Sequence, residues 1–157
     1  MTGRTLRAQL AAQTKLAVFG AFDGVVTVLG AVFPNTGNPH VLMLTCIGLA
    51  ASGAVSMGGG ELVSDSNAGW AASTAIGATT GLGTLVPAAP YLWTSGTAAV
   101  VLSMLLCVAV ALGISWIKTT DGAGAPTFRR AAAHTHGILA VAVAFTLLAA
   151  WATGAVG

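Results

Sequence analysis

Residues 16–33 read LAVFGAFDGVVTVLGAVF. Every side chain but one is apolar, small or hydroxylic, and the exception, Asp23, stands near the middle. A helix needs about 20 predominantly apolar residues to cross the hydrocarbon of a bilayer. The stretch therefore reads as a transmembrane helix with a carboxylate set inside it. An acid at the centre of such a helix costs about 2.5–3.5 kcal/mol on insertion scales. By default it marks a functional position, and it should face protein or water rather than lipid.

The rest of the chain has the same character. Of 157 residues, 55% are hydrophobic and 6% charged, and the mean hydropathy is +0.86. Soluble domains carry about 25% charged residues, so the composition is that of an integral membrane protein forming a single domain. Four further apolar segments follow the first: 41–63, 70–93, 97–117 and 131–156. The breaks carry turn chemistry, PNTGNPH at 34–40, SDSN at 64–67, TSG at 94–96 and KTTDGAGAPTFRR at 118–130. None of the segments alternates as barrel strands do, and backbone groups in lipid must be satisfied within each segment. The expectation is an all-α protein with five transmembrane helices.

Five spans place the chain ends on opposite sides. Arg4, Arg7 and Lys15 precede the first span, and Lys118, Arg129 and Arg130 lie between the fourth and fifth. Five-span threading puts all six basic residues on one face, whereas four or six spans would scatter them. The positive-inside rule then gives a cytoplasmic N-terminus and an outside C-terminus. The basic start and apolar run also resemble a signal peptide, but Asp23 interrupts the run and no A-x-A-like site follows before PNTGNP. The net charge of +2 gives no reason to expect a nucleic-acid partner. An Ala/Gly/Val-rich composition points to a prokaryotic cell membrane.

The second segment ends in SGAVSMGGGELVSD, 52–65. Met57, Glu61 and Asp65 are spaced by four, so a continuous helix carries them on one face. Asp23 lies about 10 Å in from the cytoplasmic end, and Met57 about 9 Å, at 1.5 Å per residue. The two are thus expected at similar heights on antiparallel neighbours. A thioether beside carboxylates suits a transition metal of intermediate softness, while carboxylates alone suit Mg²⁺ or Ca²⁺ as readily. Gly58, Gly59 and Gly60 leave room for a partner helix or an ion. Gly20 and Gly24, like Gly77 and Gly81, have the four-residue spacing of close helix contacts in membranes.

Each of these residues also has a plainer reading. Asp23 can be a neutral, hydrogen-bonded structural acid, Met57 filler, Glu61 an interfacial acid and Asp65 a solvated or capping loop residue. His134 and His136 are two apart and leave a helix on nearly opposite sides, so they read as structural or solvated. His40 and Asp121 read as solvated loop residues. Cys46 and Cys107 read as small apolar fillers. Pro87 and Pro90 are expected to end the third span near its outer end, with Tyr91 and Trp93 as interfacial anchors. Thr27, Thr45 and Ser56 are candidates for helix-to-helix hydrogen bonds. No nucleophile–base arrangement is visible, so an enzyme is not expected.

FGAFDGVVTVLGAV (19–32) and GAVSMGGGELVS (53–64) resemble the first two spans of the vacuolar iron transporter family. LGTLVPAAPYLW (82–93) is similar to that family's third span, and FRR (128–130) to the arginine-led start of its last. The resemblance implies a five-span homodimer that exports Fe²⁺ or Mn²⁺ from the cytoplasm in exchange for protons, with no permanently bound cofactor. Carried over by position, it makes Asp23 and Met57 path residues and Glu61 a third, with metal and proton alternating on Asp23. Many members carry a glutamate-rich cytoplasmic helical domain between spans two and three, where this chain has only SDSNAG. The rival expectation is a non-transporting membrane protein of the same fold, a regulatory or structural subunit.

Overall fold

The structure, a computed structural model, describes residues 3–32, 38–64, 69–120 and 125–152. It consists of helix α1 (Gly3–Val32), α2 (Pro39–Ser64), α3 (Trp70–Ala88), a short 3₁₀ helix (Ala89–Leu92), α4 (Gly96–Thr119) and α5 (Phe128–Ala152). No strand occurs among the described residues. α1 begins well before the apolar run at Leu16, because the preceding RTLRAQLAAQTK is dominated by Arg, Leu, Ala, Gln and Lys, good helix formers that outweigh Thr5 and Thr14.

The helices run up and down. Gly20 meets Ile76 and Thr80, and Gly24 meets Thr80 and Thr84, so α1 and α3 are parallel. Gly58 meets Ser73, Ala54 meets Gly77 and Ala50 meets Gly81, so α2 is antiparallel to α3. Lys118 at the end of α4 lines a pocket with Lys15 of α1. The ring of Trp116 meets Phe128 edge-on with centroids 6.1 Å apart, joining the end of α4 to the start of α5. Lys15, Lys118, Arg129 and Arg130 therefore gather at one end of the bundle.

Four helical stretches are long and apolar enough to cross a membrane: Leu10–Val32, Pro39–Ser64, Gly96–Thr119 and Phe128–Ala152. With the all-helical architecture, they mark the chain as a helical membrane protein. The expected third span differs from the other four. α3 is not among the four apolar stretches, and its reason is positional: it packs chiefly on α1 and α2, between them. Ser73, Gly77, Thr80, Gly83 and Thr84 are all buried there. A helix covered by two others has little need of lipid-facing aliphatics, and small residues let its neighbours approach.

Pro87 lies inside the last turn of α3, where it removes one helical donor, and the α-helix ends at Ala88 before passing into the 3₁₀ turn. The carbonyl of Pro90 then accepts from the backbone N–H groups of Trp93 (3.2 Å) and Thr94 (2.9 Å) and from the Thr94 hydroxyl (3.0 Å). Gly96, at φ +61°, turns the chain into α4, a conformation other residues rarely adopt. Trp93 is exposed, as an anchor would be, but Tyr91 is buried in the core, so only one of the two expected anchors faces outward.

The core cluster lies toward the end of the bundle away from the lysines. It includes Val25, Val28, Leu29 and Val32 of α1, Leu42 and Cys46 of α2, Tyr91, and Ala99, Cys107 and Ala111 of α4. Large apolar side chains point outward instead: Leu44, Val55, Val63, Leu105 and Phe145 are all exposed. In water such a surface would aggregate; in a bilayer it is the lipid-facing wall.

Candidate functional site

The α1–α3 contact fixes where Asp23 stands. A Cβ added at Gly20 would meet the Ile76 carbonyl, and one at Gly24 the Thr80 carbonyl and the Thr84 nitrogen (2.7 Å). The Thr84 hydroxyl donates to the Gly24 carbonyl at 3.3 Å. Gly20 and Gly24 thus face α3. Asp23 is rotated about 100° from Gly24, onto a stripe with exposed Phe19 and exposed Gly30. The carboxylate is half-buried and has no hydrogen-bond or ion-pair partner among the described residues. It sits on the flank of the bundle, beside the tight helix contact rather than within it.

Met57 and Glu61 stand differently. On α2 they continue the inward stripe of Leu42, Cys46 and Ala50, all buried, and both are half-buried at its lysine-proximal end. Gly58 beside them is buried, where a Cβ would meet the Ser73 carbonyl at 2.9 Å. The Ser73 hydroxyl donates to the Gly58 carbonyl at 2.6 Å and fastens α3 to α2. A Cβ at Gly59 or Gly60 would meet nothing within 4 Å, so this chain's own helices do not fill the space there. Asp65 and Asp121 lie outside the described residues.

Because α3 touches both neighbours, it serves as a ruler between them. Asp23 falls at the level of Gly81–Thr84 on α3, which is the level of Ala50 on α2. Met57 falls near Ala75, which is the level of Lys15–Ala17 on α1. The expected match in depth is therefore not found within one chain. Asp23 and Met57 are about seven residues apart in height, roughly 10 Å at 1.5 Å per residue. Counting from segment ends failed because α1 and α2 do not start and stop at one plane. Among the described residues, no three of His, Cys, Asp and Glu come together as a metal-holding group.

Several of the remaining polar residues bond within their own helix. The Thr45 hydroxyl donates to Val41 of its own helix at 2.8 Å, so it does not reach across. Neither Thr27 nor Ser56 bonds across helices among the described residues. The interhelical hydroxyls are Ser73, Thr84 and Ser103, the last donating to the Pro87 carbonyl at 2.6 Å. Their signal in the sequence was their place in or opposite the small-residue helix α3. His136 is held by its Nδ1 to the Ala132 carbonyl at 2.8 Å, whereas His134 is exposed beside Gly137 and Val141. His40, at the far end of the bundle, lines a pocket of about 370 Å³ with Met43, Tyr91 and Trp93. Cys46 and Cys107 are free and buried.

These features define a helical membrane protein with one carboxylate set midway along a lipid-length helix and a thioether–carboxylate pair nearer its basic end. Compared with known proteins, the chain matches no family model, no curated protein and no solved structure.

Proposed function

We propose that the chain exports a divalent transition metal, Fe²⁺ or Mn²⁺, from the cytoplasm in exchange for protons. In this reading all five long helices span the membrane, and α3 does so shielded from lipid by α1 and α2. The basic end of the bundle faces the cytoplasm, in what we read as a prokaryotic cell membrane. The observation that carries the proposal is the setting of Asp23, half-buried on the flank of α1 without a partner among the described residues. A charged carboxylate facing lipid there costs about 2.5–3.5 kcal/mol. A second copy of the chain, closing over the Phe19–Asp23–Gly30 stripe, removes that cost and encloses a path between two carboxylates. Met57 and Glu61 receive the ion near the cytoplasmic end, and Asp23 takes it deeper.

The test is metal flux into proteoliposomes. Fe²⁺, Mn²⁺, Zn²⁺ and Mg²⁺ are compared with and without a pH gradient, using wild type and Asp23→Asn. Fe²⁺ or Mn²⁺ flux that rises with the gradient and vanishes in the variant is expected. Undiminished flux in the variant rules out the Asp23 role.

A second reading has its own support. No three metal-binding side chains converge among the described residues, and the two candidate stations are offset in height. In that case the protein is a non-transporting subunit, Asp23 is a neutral packing group, and well-folded wild type carries no metal flux.

A further inference from the structure

A pocket of about 400 Å³ opens between α1, α4 and α5, at the basic end of the bundle and away from the Met57–Glu61 pair. Its volume falls within the roughly 300–1,000 Å³ of small-molecule sites. Its walls are apolar, with Phe19, Phe22, Ile114 and Ile138 among them, and Lys15 and Lys118 stand at one end. Ile138 of α5 is more than half exposed, so the pocket opens sideways.

Among the described residues, the polar chemistry of the lining leaves one kind of free donor. The Thr14 hydroxyl donates to the Leu10 carbonyl at 2.8 Å, and the Thr135 hydroxyl to Ala131 at 2.9 Å. Both are spent on their own helices. The ammonium groups of Lys15 and Lys118 meet no carboxylate among the described residues. Arg129 and Arg130 lie at the same end, at the start of α5. An occupant must therefore be apolar along most of its length and anionic at one tip. A sideways opening selects a molecule that arrives through the bilayer.

We propose that this pocket holds an anionic glycerophospholipid of the leaflet at the basic end of the bundle, an acyl chain along Phe22 and Ile114 and its phosphate between Lys15 and Lys118. Basic pockets between transmembrane helices take anionic headgroups in this way. A zwitterionic lipid offers the same chain but cancels the phosphate with its own cation. A free fatty acid offers the same kind of chain with a carboxylate in place of the phosphate, and so tests the headgroup.

Native mass spectrometry of the detergent-solubilised full chain tests this. Phosphatidylglycerol, phosphatidylcholine and palmitate are added separately. Retention of one phosphatidylglycerol per chain, with at least tenfold weaker phosphatidylcholine and palmitate, is expected. Each lysine contributes about fivefold in affinity, so Lys15→Gln/Lys118→Gln should weaken phosphatidylglycerol binding by tenfold or more. Ile114→Trp, which fills the pocket, should abolish it. Equal retention of phosphatidylcholine, preference for palmitate, or wild-type binding by the double lysine variant each overturns the proposal. If Ile114→Trp fails to fold, the lysine variant, whose changes are at the pocket mouth, still decides. Loss of lipid only on dimer formation also overturns it, since a second copy would then be the occupant.

Discussion

Gly24→Ala adds one methyl group at the tightest glycine contact among the described residues. A Cβ there would stand 2.7 Å from the Thr84 nitrogen and 2.8 Å from the Gly83 carbonyl carbon, with the Thr80 carbonyl nearer still. All three are backbone, so no side chain can swing away. Ordinary contact begins at 3.4 Å, so α1 and α3 must separate by at least about 0.7 Å. A gap of 0.5–1 Å forfeits about a quarter to a half of each contact's dispersion energy. It also stretches the Thr84–Gly24 hydrogen bond, already 3.3 Å, past its useful range. Overpacking of this kind costs about 1–3 kcal/mol, and we expect the upper part of that range. The helical preference of alanine over glycine returns up to about 1 kcal/mol, leaving a net loss of about 1–2 kcal/mol. Gly113→Ala, within α4, is the matched control, because a Cβ there meets nothing within 4 Å. It keeps only the propensity gain. Both variants should be unfolded reversibly with sodium dodecyl sulfate in mixed micelles, followed by circular dichroism. Equal stability of Gly24→Ala and Gly113→Ala would refute the α1–α3 register, and with it the depth assigned to Asp23.

Ser103→Ala removes the 2.6 Å bond to the Pro87 carbonyl and should cost about 1 kcal/mol, measured in the same unfolding assay; no loss would mean that α4 is not fastened to the end of α3 there. Reporter fusions at the two chain ends should report opposite sides of the membrane, with the N-terminal one cytoplasmic. Reporters on one side would show that α3 does not span. Met57→Ala should weaken Fe²⁺ or Mn²⁺ flux severalfold while shifting unfolding little, because Met57 is only half-buried; unchanged metal dependence would return it to filler.

The helical architecture was legible because each apolar run is long and lacks alternation. The gathering of Lys15 and Lys118 at one end followed from counting spans. The glycine spacing of α1 pointed to a close contact, and Gly20 and Gly24 do meet α3. Two things were not legible, for related reasons. The relative height of Asp23 and Met57 depends on a third helix that touches both, and no spacing within either segment encodes it. The interhelical hydroxyls were sought at Thr27, Thr45 and Ser56, on residues flanked by ordinary apolar sequence. They occur instead at Ser73 and Thr84, within the long helix that is not among the four apolar stretches and packs on two neighbours, and at Ser103, which donates to that helix from α4. Tyr91 misled for a similar reason: its aromatic ring at a segment end suggested an interface, but the 3₁₀ turn after Pro87 swings it into the core.

The offset between Asp23 and Met57 separates two mechanisms that the sequence alone leaves merged. If one ion were held by both residues, removing either ligand would leave the other with little to hold, and their effects on binding would not add. Residues about 7–10 Å apart without shared partners instead act independently, within about 0.3–0.5 kcal/mol. A height difference of roughly 10 Å puts this pair in the second class within one chain. A thermodynamic cycle on Mn²⁺ binding, with Met57→Ala, Asp23→Asn and the double variant, measures the difference directly by calorimetry. Additive losses are expected from two sites filled in turn, the thioether and Glu61 receiving the ion and Asp23 exchanging it for a proton. A coupling above about 1 kcal/mol would instead require Asp23 and Met57 in one coordination sphere, which one chain does not assemble. A second copy turned about the membrane normal keeps both residues at their own heights, so such a coupling would overturn the helix register from which the offset is read.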